Sequence, residues 1–274
     1  MRELGDFSGT LLLLGAGNMG GAMLNGWLGL GLDAAQVVAL DPAPSPAITG
    51  MAEQGLRLNP RPGDVPTADV VVVAVKPQGA AEALKALQPY VGPQTLVISI
   101  MAGKTLSFLE AAFASGTAIV RSMPNTPAAV GRGITVAVPN TRVSQAQRDL
   151  ADRLLAAIGS VAWVDDESLM DAVTAVSGSG PAYVFLLAES LARAGIAAGL
   201  PAELAVQLAR ETVAGSGELL HRSPLDAETL RRNVTSPGGT TAAALGVLMA
   251  PEGLDPLLRE AVDAATRRSR ELAG

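Results

Sequence analysis

Over the first part of the chain, short and almost continuously apolar runs alternate with segments of helical period. The runs predict strands at Thr10–Gly15, Gln36–Asp41, Asp69–Val75, Thr95–Ser99, Ala118–Arg121, Ile134–Val138 and Val161–Val164. Most carry no polar alternation (VVVVAV, LVISI), which suits strands buried on both faces of a parallel sheet with helical crossovers. Intervening stretches such as Gln78–Leu87 and Ser144–Ile158 read as helices. After about Asp165 the strand signals stop. Asp166–Val176, Pro181–Ala198, Pro201–Leu220, Asp226–Val234, Thr240–Met249 and Asp255–Leu272 all look helical, bounded by Gly, Pro, Ser or Asp. The pattern therefore predicts a doubly wound, mostly parallel α/β domain over 1–164 and an all-helical domain over 165–274.

The segment AYVFLLAESLARAG, from Ala182, is apolar around most of its circumference over its first two turns. A helix of that profile is enclosed on several sides. A domain of about 110 residues is too small to enclose it alone, so the helical half is expected to form a homo-oligomer, at least a dimer.

Composition narrows the chemistry. The net charge is −6 and the 20 basic residues are scattered, which argues against a nucleic-acid footprint. The apolar runs fall far short of the roughly 20 residues of a membrane span, and the start MRELGDFSGT lacks a signal-peptide pattern. There is no cysteine, so disulfides, thiolate catalysis and thiolate metal sites are out, consistent with the cytoplasm. Lysine occurs only at 76, 85 and 104 and histidine only at 221, so few acid–base mechanisms are open. No metal site is expected.

The strongest local signal is LLLLGAGNMGGAM. Gly15, Gly17 and Gly20 form G-x-G-x-x-G after a predicted strand and at the mouth of a predicted helix. In that context the first glycine permits a tight turn, the second admits a pyrophosphate to the backbone, and the third allows close helix–strand packing. Helix-start amides then favour the phosphate charge. A glycine-rich turn without ligand is the competing reading. Asp41, closing the second strand, can accept hydrogen bonds from an adenosine ribose and repel a 2′-phosphate, which would favour NADH. Equally it can be a turn residue before Pro42, and Ser45 and Arg61 lie close enough in sequence to make a phosphate pocket.

Near the other end, Ser236-Pro-Gly-Gly-Thr-Thr precedes the apolar run AAALGVLMA. Two glycines before a helix expose several amides around its positive end, a site for a small anion such as a carboxylate. An ordinary capped helix fits the same residues.

Taken in order, the glycine loop, AVKPQ at 74–78, MAG at 101–103, RSMPNTP at 121–127, VSGSGPAYVF at 176–185 and NVTSPGGTTAAAL at 233–245 resemble pyrroline-5-carboxylate reductase over essentially the whole chain. The resemblance implies hydride transfer from NADPH or NADH to the cyclic imino acid 1-pyrroline-5-carboxylate, the last step of proline synthesis. It implies a cofactor pyrophosphate on Gly15, Gly17, Asn18, Met19 and Gly20, with Asp41 at the ribose. Ala74, Val75, Lys76, Pro77, Ala102 and Gly103 would line the cofactor cleft, and Asn125 would lie near the nicotinamide end. It further implies substrate contacts from Asn233, Ser236, Gly238, Gly239, Thr240 and Thr241, with the Thr241 hydroxyl beside the substrate nitrogen. The stretch between Asp41 and Asp69 departs from the family pattern.

Such chemistry suits this composition. A protonated imine is already electrophilic and accepts hydride to give an amine, so positioning matters more than strong acid–base groups. His221, near a predicted helix end, reads as a surface cap, and Lys76 as structural or as a cofactor contact. A β-hydroxyacid dehydrogenase has the same two-part architecture, but its catalytic lysine would fall at Val184, which moves no proton. A non-catalytic dinucleotide sensor would have no evident use for SPGGTT.

Overall fold

The computed structural model describes residues 3–273. Strands β1 (Leu11–Leu14), β2 (Val37–Leu40), β3 (Arg57–Leu58), β4 (Ala68–Val73), β5 (Val91–Ser99), β6 (Ala118–Met123), β7 (Gly133–Pro139) and β8 (Gly159–Trp163) form one sheet in the order β3-β2-β1-β4-β5-β6-β7-β8. All pairs are parallel except β6 with β7. Alternation along β1 shows why its sequence is uninterrupted leucine. Leu11 and Leu13 enter one core cluster, with Met23, Leu24 and Trp27 of α1 (Asn18–Gly29) and Ala151, Leu154 and Leu155 of α5 (Gln145–Leu155). Leu12 enters the opposite cluster with Leu84 and Leu87 of α3 (Ala80–Leu87), as does Leu14. Both faces are covered, so no polar position is tolerated. Trp27, fully buried, donates its indole N–H to the Leu154 carbonyl at 2.9 Å and ties α1 to α5.

Most of the expected elements form with small shifts at their ends. β5 begins at Val91 rather than Thr95, because Val91 pairs with Ala68 before the register shifts. The edge strand β3 and the short helices α2 (Pro46–Ala52) and α4 (Leu106–Glu110) had no counterpart in the sequence reading; each is too short to show a period. Asp166–Val176 is not one helix. A 3₁₀ turn (Glu167–Leu169) leads into α6 (Met170–Val173) and a π turn (Thr174–Gly178). There the Thr174 and Ser177 hydroxyls donate to the carbonyls four residues back, at Met170 and Val173. Such back-bonding competes with regular helix bonding.

Two compact units result. The first comprises the described residues through Gly178 together with those from Thr266 on. Its limit lies beyond the expected division at 164/165, since residues 165–178 pack on the sheet. Met170 is buried with Val136 and Val138, and Glu167 accepts from both Arg121 and the Leu106 amide, each at 2.7 Å. The end of α11 (Leu254–Ala273) joins this unit through a 2.7 Å bond from the Ser269 hydroxyl to Asp171.

The second unit, Ser179–Ala265, holds α7 (Gly180–Ala197), α8 (Ala202–Arg222), α9 (Ala227–Asn233), α10 (Thr240–Leu248) and the start of α11. α7 stops at Gly199, left-handed at φ +100, where the Leu200 amide returns to the Gly195 carbonyl. The α7–α8 seam is made of small buried residues, Ala192, Ala205 and Ala209. A side chain at Gly195 would meet the Ala205 Cβ at 3.3 Å. The rest of α7 is not enclosed by its own chain: Val184, Phe185, Leu186 and Leu187 are all exposed, Phe185 by 62%. Among the described residues no helix is long and apolar enough to cross a membrane.

Candidate active site

In the first unit, four expected cofactor segments leave the carboxyl ends of neighbouring strands. The loop Gly15–Gly20 follows β1, Ala74–Pro77 follows β4, Ala102–Gly103 lies just beyond β5, and Asn125 lies two residues past β6. The register aligns Leu14 with Val73, Val73 with Ser99, and Ser99 with Arg121, which sets these segments side by side. Because β2 lies on one side of β1 and β4 on the other, the chain reverses direction across the sheet at β1. In such sheets the ligand crevice opens at this reversal.

The three glycines do three different things. Gly15 is left-handed at φ +88, and a side chain there would meet the Ala74 carbonyl oxygen at 2.8 Å. A Cβ at Gly20 would overlap the Gly15 carbonyl and approach the Ala74 Cβ to 3.2 Å, so only hydrogen lets α1 pack this closely. A Cβ at Gly17 would meet nothing within 4 Å. Its φ of −68 suits any residue, so the protein's own packing gives no reason for glycine there. The open space faces the start of α1, where no side chain caps the amides that begin with Asn18 and Met19. A dinucleotide pyrophosphate fits that combination: unhindered backbone, uncapped donors and a positive helix end.

Asp41 is built into the same loop. Its Oδ2 accepts from the Ala16 amide at 2.7 Å and its Oδ1 from the Ala43 amide at 2.8 Å. Asn59, not singled out by the sequence reading, grips Asp41 from the other side; its Oδ1 accepts the Asp41 amide at 2.9 Å and its Nδ2 donates to the Asp41 carbonyl at 2.8 Å. The one sequence signal for Asn59 is its place before Pro60, which marks a turn but not its partner. Lys76 is exposed, one residue before the 3₁₀ turn Pro77–Gly79. Ala102 is exposed, whereas Gly103, at φ +71, is covered by Leu272 of α11. The Asn125 Oδ1 accepts the Ile134 amide at 2.9 Å and so pins the start of β7.

In the second unit, the Gly239 amide returns to the Ser236 carbonyl at 3.0 Å across Pro237 and Gly238. Proline second and a left-handed glycine third, at φ +71, make a turn that only glycine completes without strain. This turn delivers Gly239 as the extended residue before α10, with no side chain capping the helix start. Thr240 and Thr241 occupy its first two positions, and Asn233 ends α9, exposed. Ser236, Gly238, Gly239, Thr240 and Thr241 are thus brought together around uncapped donors, an arrangement suited to a small carboxylate. His221 lies in the last turn of α8 and is exposed. Val184 lies within α7 and is exposed. Among the described residues no three potential metal ligands gather.

Comparison with known proteins gives consistent matches for both parts. Residues 167–272 match the family described as pyrroline-5-carboxylate reductase dimerisation, and residues 10–103 the family described as NADP oxidoreductase, coenzyme F420-dependent. A pyrroline-5-carboxylate reductase of Pseudomonas aeruginosa is 41% identical over 264 residues, spanning 96% of each chain. The structure of a pyrroline-5-carboxylate reductase from Coxiella burnetii superposes with a TM-score of 0.89 at 33% identity, covering 97% of this chain and 99% of that one. The pyrroline carboxylate reductase of Plasmodium falciparum, solved with NADP bound, gives 0.80 at 31% identity, with 97% and 99% covered.

Proposed function

The chain belongs to the pyrroline-5-carboxylate reductase family, and from that membership we propose that it reduces 1-pyrroline-5-carboxylate to L-proline, taking hydride from NADPH or NADH. The observation that carries the reading is the open space over Gly17 beside the uncapped start of α1, in a chain alike to these reductases along 96% of its length. Backbone amides from Gly15 to Gly20, Asn18 and Met19 included, would hold the pyrophosphate, with Asp41 on the ribose. Ala74, Val75, Lys76, Pro77, Ala102, Gly103 and Asn125 would wall the cleft at the strand ends. When bound, the cofactor supplies the hydride.

The substrate half of the reaction calls on the α10 segment. Amides after Gly238 and Gly239 would receive the imino acid's carboxylate, flanked by Asn233, Ser236 and Thr240. The Thr241 hydroxyl would hydrogen-bond the ring nitrogen and fix which face of the C=N bond is presented. Hydride addition to the iminium carbon would turn the C=N π electrons into the nitrogen lone pair, giving a secondary amine that keeps the iminium proton and takes a second one from solvent. No strong base is called for, in keeping with one histidine and no cysteine in the chain.

Homo-oligomerisation through the helical unit accords with the dimerisation-family match and with the exposed apolar flank of α7. A cysteine-free chain that consumes a reduced dinucleotide accords with the cytoplasm. The deciding experiment is oxidation of NADH or NADPH followed at the nicotinamide absorbance. Oxidation is expected only when 1-pyrroline-5-carboxylate is added, with proline as product; no turnover with either cofactor would end the reading.

A further inference from the structure

We propose that this chain selects NADH over NADPH and that Asp41 makes the choice. The inference rests on the reductase reading above and concerns the adenosine end of the cofactor. Asp41 ends the approach from β2 to the glycine loop, where the adenosine ribose of a dinucleotide lies in this class of sheet. What distinguishes it here is how firmly it is held. Two loop amides, from Ala16 and Ala43, take one acceptor position on each carboxylate oxygen, and Asn59 fixes the residue's own amide and carbonyl. Asn59 does so from a left-handed conformation, φ 49, among non-glycine residues the one positive φ described. With two bonds on the carboxylate and two on the backbone that carries it, the side chain swings aside for an incoming phosphate only by giving up both loop amides.

Each oxygen retains a second acceptor direction, and the pair suits the neighbouring hydroxyls of a ribose. A 2′-phosphate brought to the same place meets a fixed like charge in a partly buried loop, where such repulsion is weakly screened.

Nearby cations do not offset it. The segment after Asp41 is Pro42-Ala43-Pro44-Ser45-Pro46, with no basic residue. The Ser45 hydroxyl accepts the Ile48 amide as the cap of α2 and is committed there. Arg57 pairs in register with Val38, whose side chain lies in the cluster of α3. Alternation therefore places Arg57 on the sheet face opposite α1 and its loop. Arg61, exposed two residues past Asn59, donates its backbone amide to the carboxylate of Asp64, so the turn that carries the arginine carries an equal negative charge. This assignment separates the chain from the Plasmodium relative, which was solved with NADP.

The test measures binding apart from turnover. Dissociation constants for NADH and NADPH are read from nicotinamide fluorescence without substrate, and kcat/KM is measured with each. The expected preference for NADH is tenfold or more in both. Asp41→Asn, which keeps an acceptor for the Ala16 amide but removes the charge, is expected to tighten NADPH at least fivefold and to weaken NADH. Arg61→Ala is expected to leave the ratio unchanged. Equal or tighter NADPH binding by the unaltered protein overturns the proposal, as does a folded Asp41→Asn protein with the original ratio, or a selective loss of NADPH in Arg61→Ala. Should Asp41→Asn fail to fold, the ratio of the unaltered protein decides alone. Tight NADH binding without turnover of the imino acid would sink the reductase reading and leave the dinucleotide choice standing; binding of neither dinucleotide overturns both.

Discussion

Gly17 and Gly20 are three residues apart, yet alanine at each should do opposite things. At Gly17 a methyl group meets nothing in the protein, and φ of −68 is ordinary for alanine. Replacing glycine as the residue before a helix costs about 0.5–1 kcal/mol, and the restricted unfolded chain returns about 0.4–1 kcal/mol, so folding stability should stay within about 0.5 kcal/mol of the parent. The same methyl occupies the space through which a pyrophosphate must approach. Losing one charge-assisted amide–phosphate bond costs about 1.5–3 kcal/mol, a roughly ten- to hundredfold rise in Kd for the dinucleotide. At Gly20 the obstacle is the Gly15 backbone carbonyl, which has no rotamer to change. Overpacking costs typically about 1–3 kcal/mol, and a backbone neighbour puts this site at the upper end, about 3 kcal/mol. Urea unfolding and fluorescence titration of NADH separate the two. Gly17→Ala should unfold like the parent and bind poorly, while Gly20→Ala should unfold earlier. Undiminished binding by Gly17→Ala would refute the placement of the phosphate over that residue; a parental unfolding midpoint for Gly20→Ala would refute the close approach of α1 to the strand ends.

Three further outcomes are expected. Trp27→Phe strands the buried Leu154 carbonyl and should cost about 1–3 kcal/mol from that group alone, read as an earlier urea midpoint with dinucleotide affinity retained. Thr241→Ala should lower kcat/KM for the imino acid roughly tenfold or more, the value of one hydrogen bond to a charged group, while Kd for the dinucleotide changes little; unchanged turnover would remove Thr241 from the mechanism. Phe185→Asp places a charge on the exposed apolar flank of α7 and should reduce the oligomer to smaller species in sedimentation, whereas an unaltered sedimentation coefficient would place the interface elsewhere.

The sequence alone determined the features that are local or periodic. Runs such as VVVVAV announce strands covered on both faces, because both sets of alternating side chains meet apolar layers, and β1 and β4 have that form. The glycine spacing announced the loop, since backbone turns leave a mark in residue type that tertiary context rarely erases. SPGGTT likewise announced the start of a helix, and α10 begins at Thr240 with Gly239 before it.

Other features depend on residues far apart in the chain and left no such mark. Arg57–Leu58 is a strand only because β2 offers an edge to it, and two residues carry no period. Asp41 could be a turn residue or a ribose ligand on its own sequence; the grip of Asn59, eighteen residues away, is a property of the folded loop. The extent of the first unit was set by contacts from Glu167 to Arg121 and from Ser269 to Asp171, pairs that nothing in residue type foretells. Local propensity writes turns and periods into the sequence, but which distant groups meet is decided when buried polar atoms must find partners and the chain, once folded, can supply them.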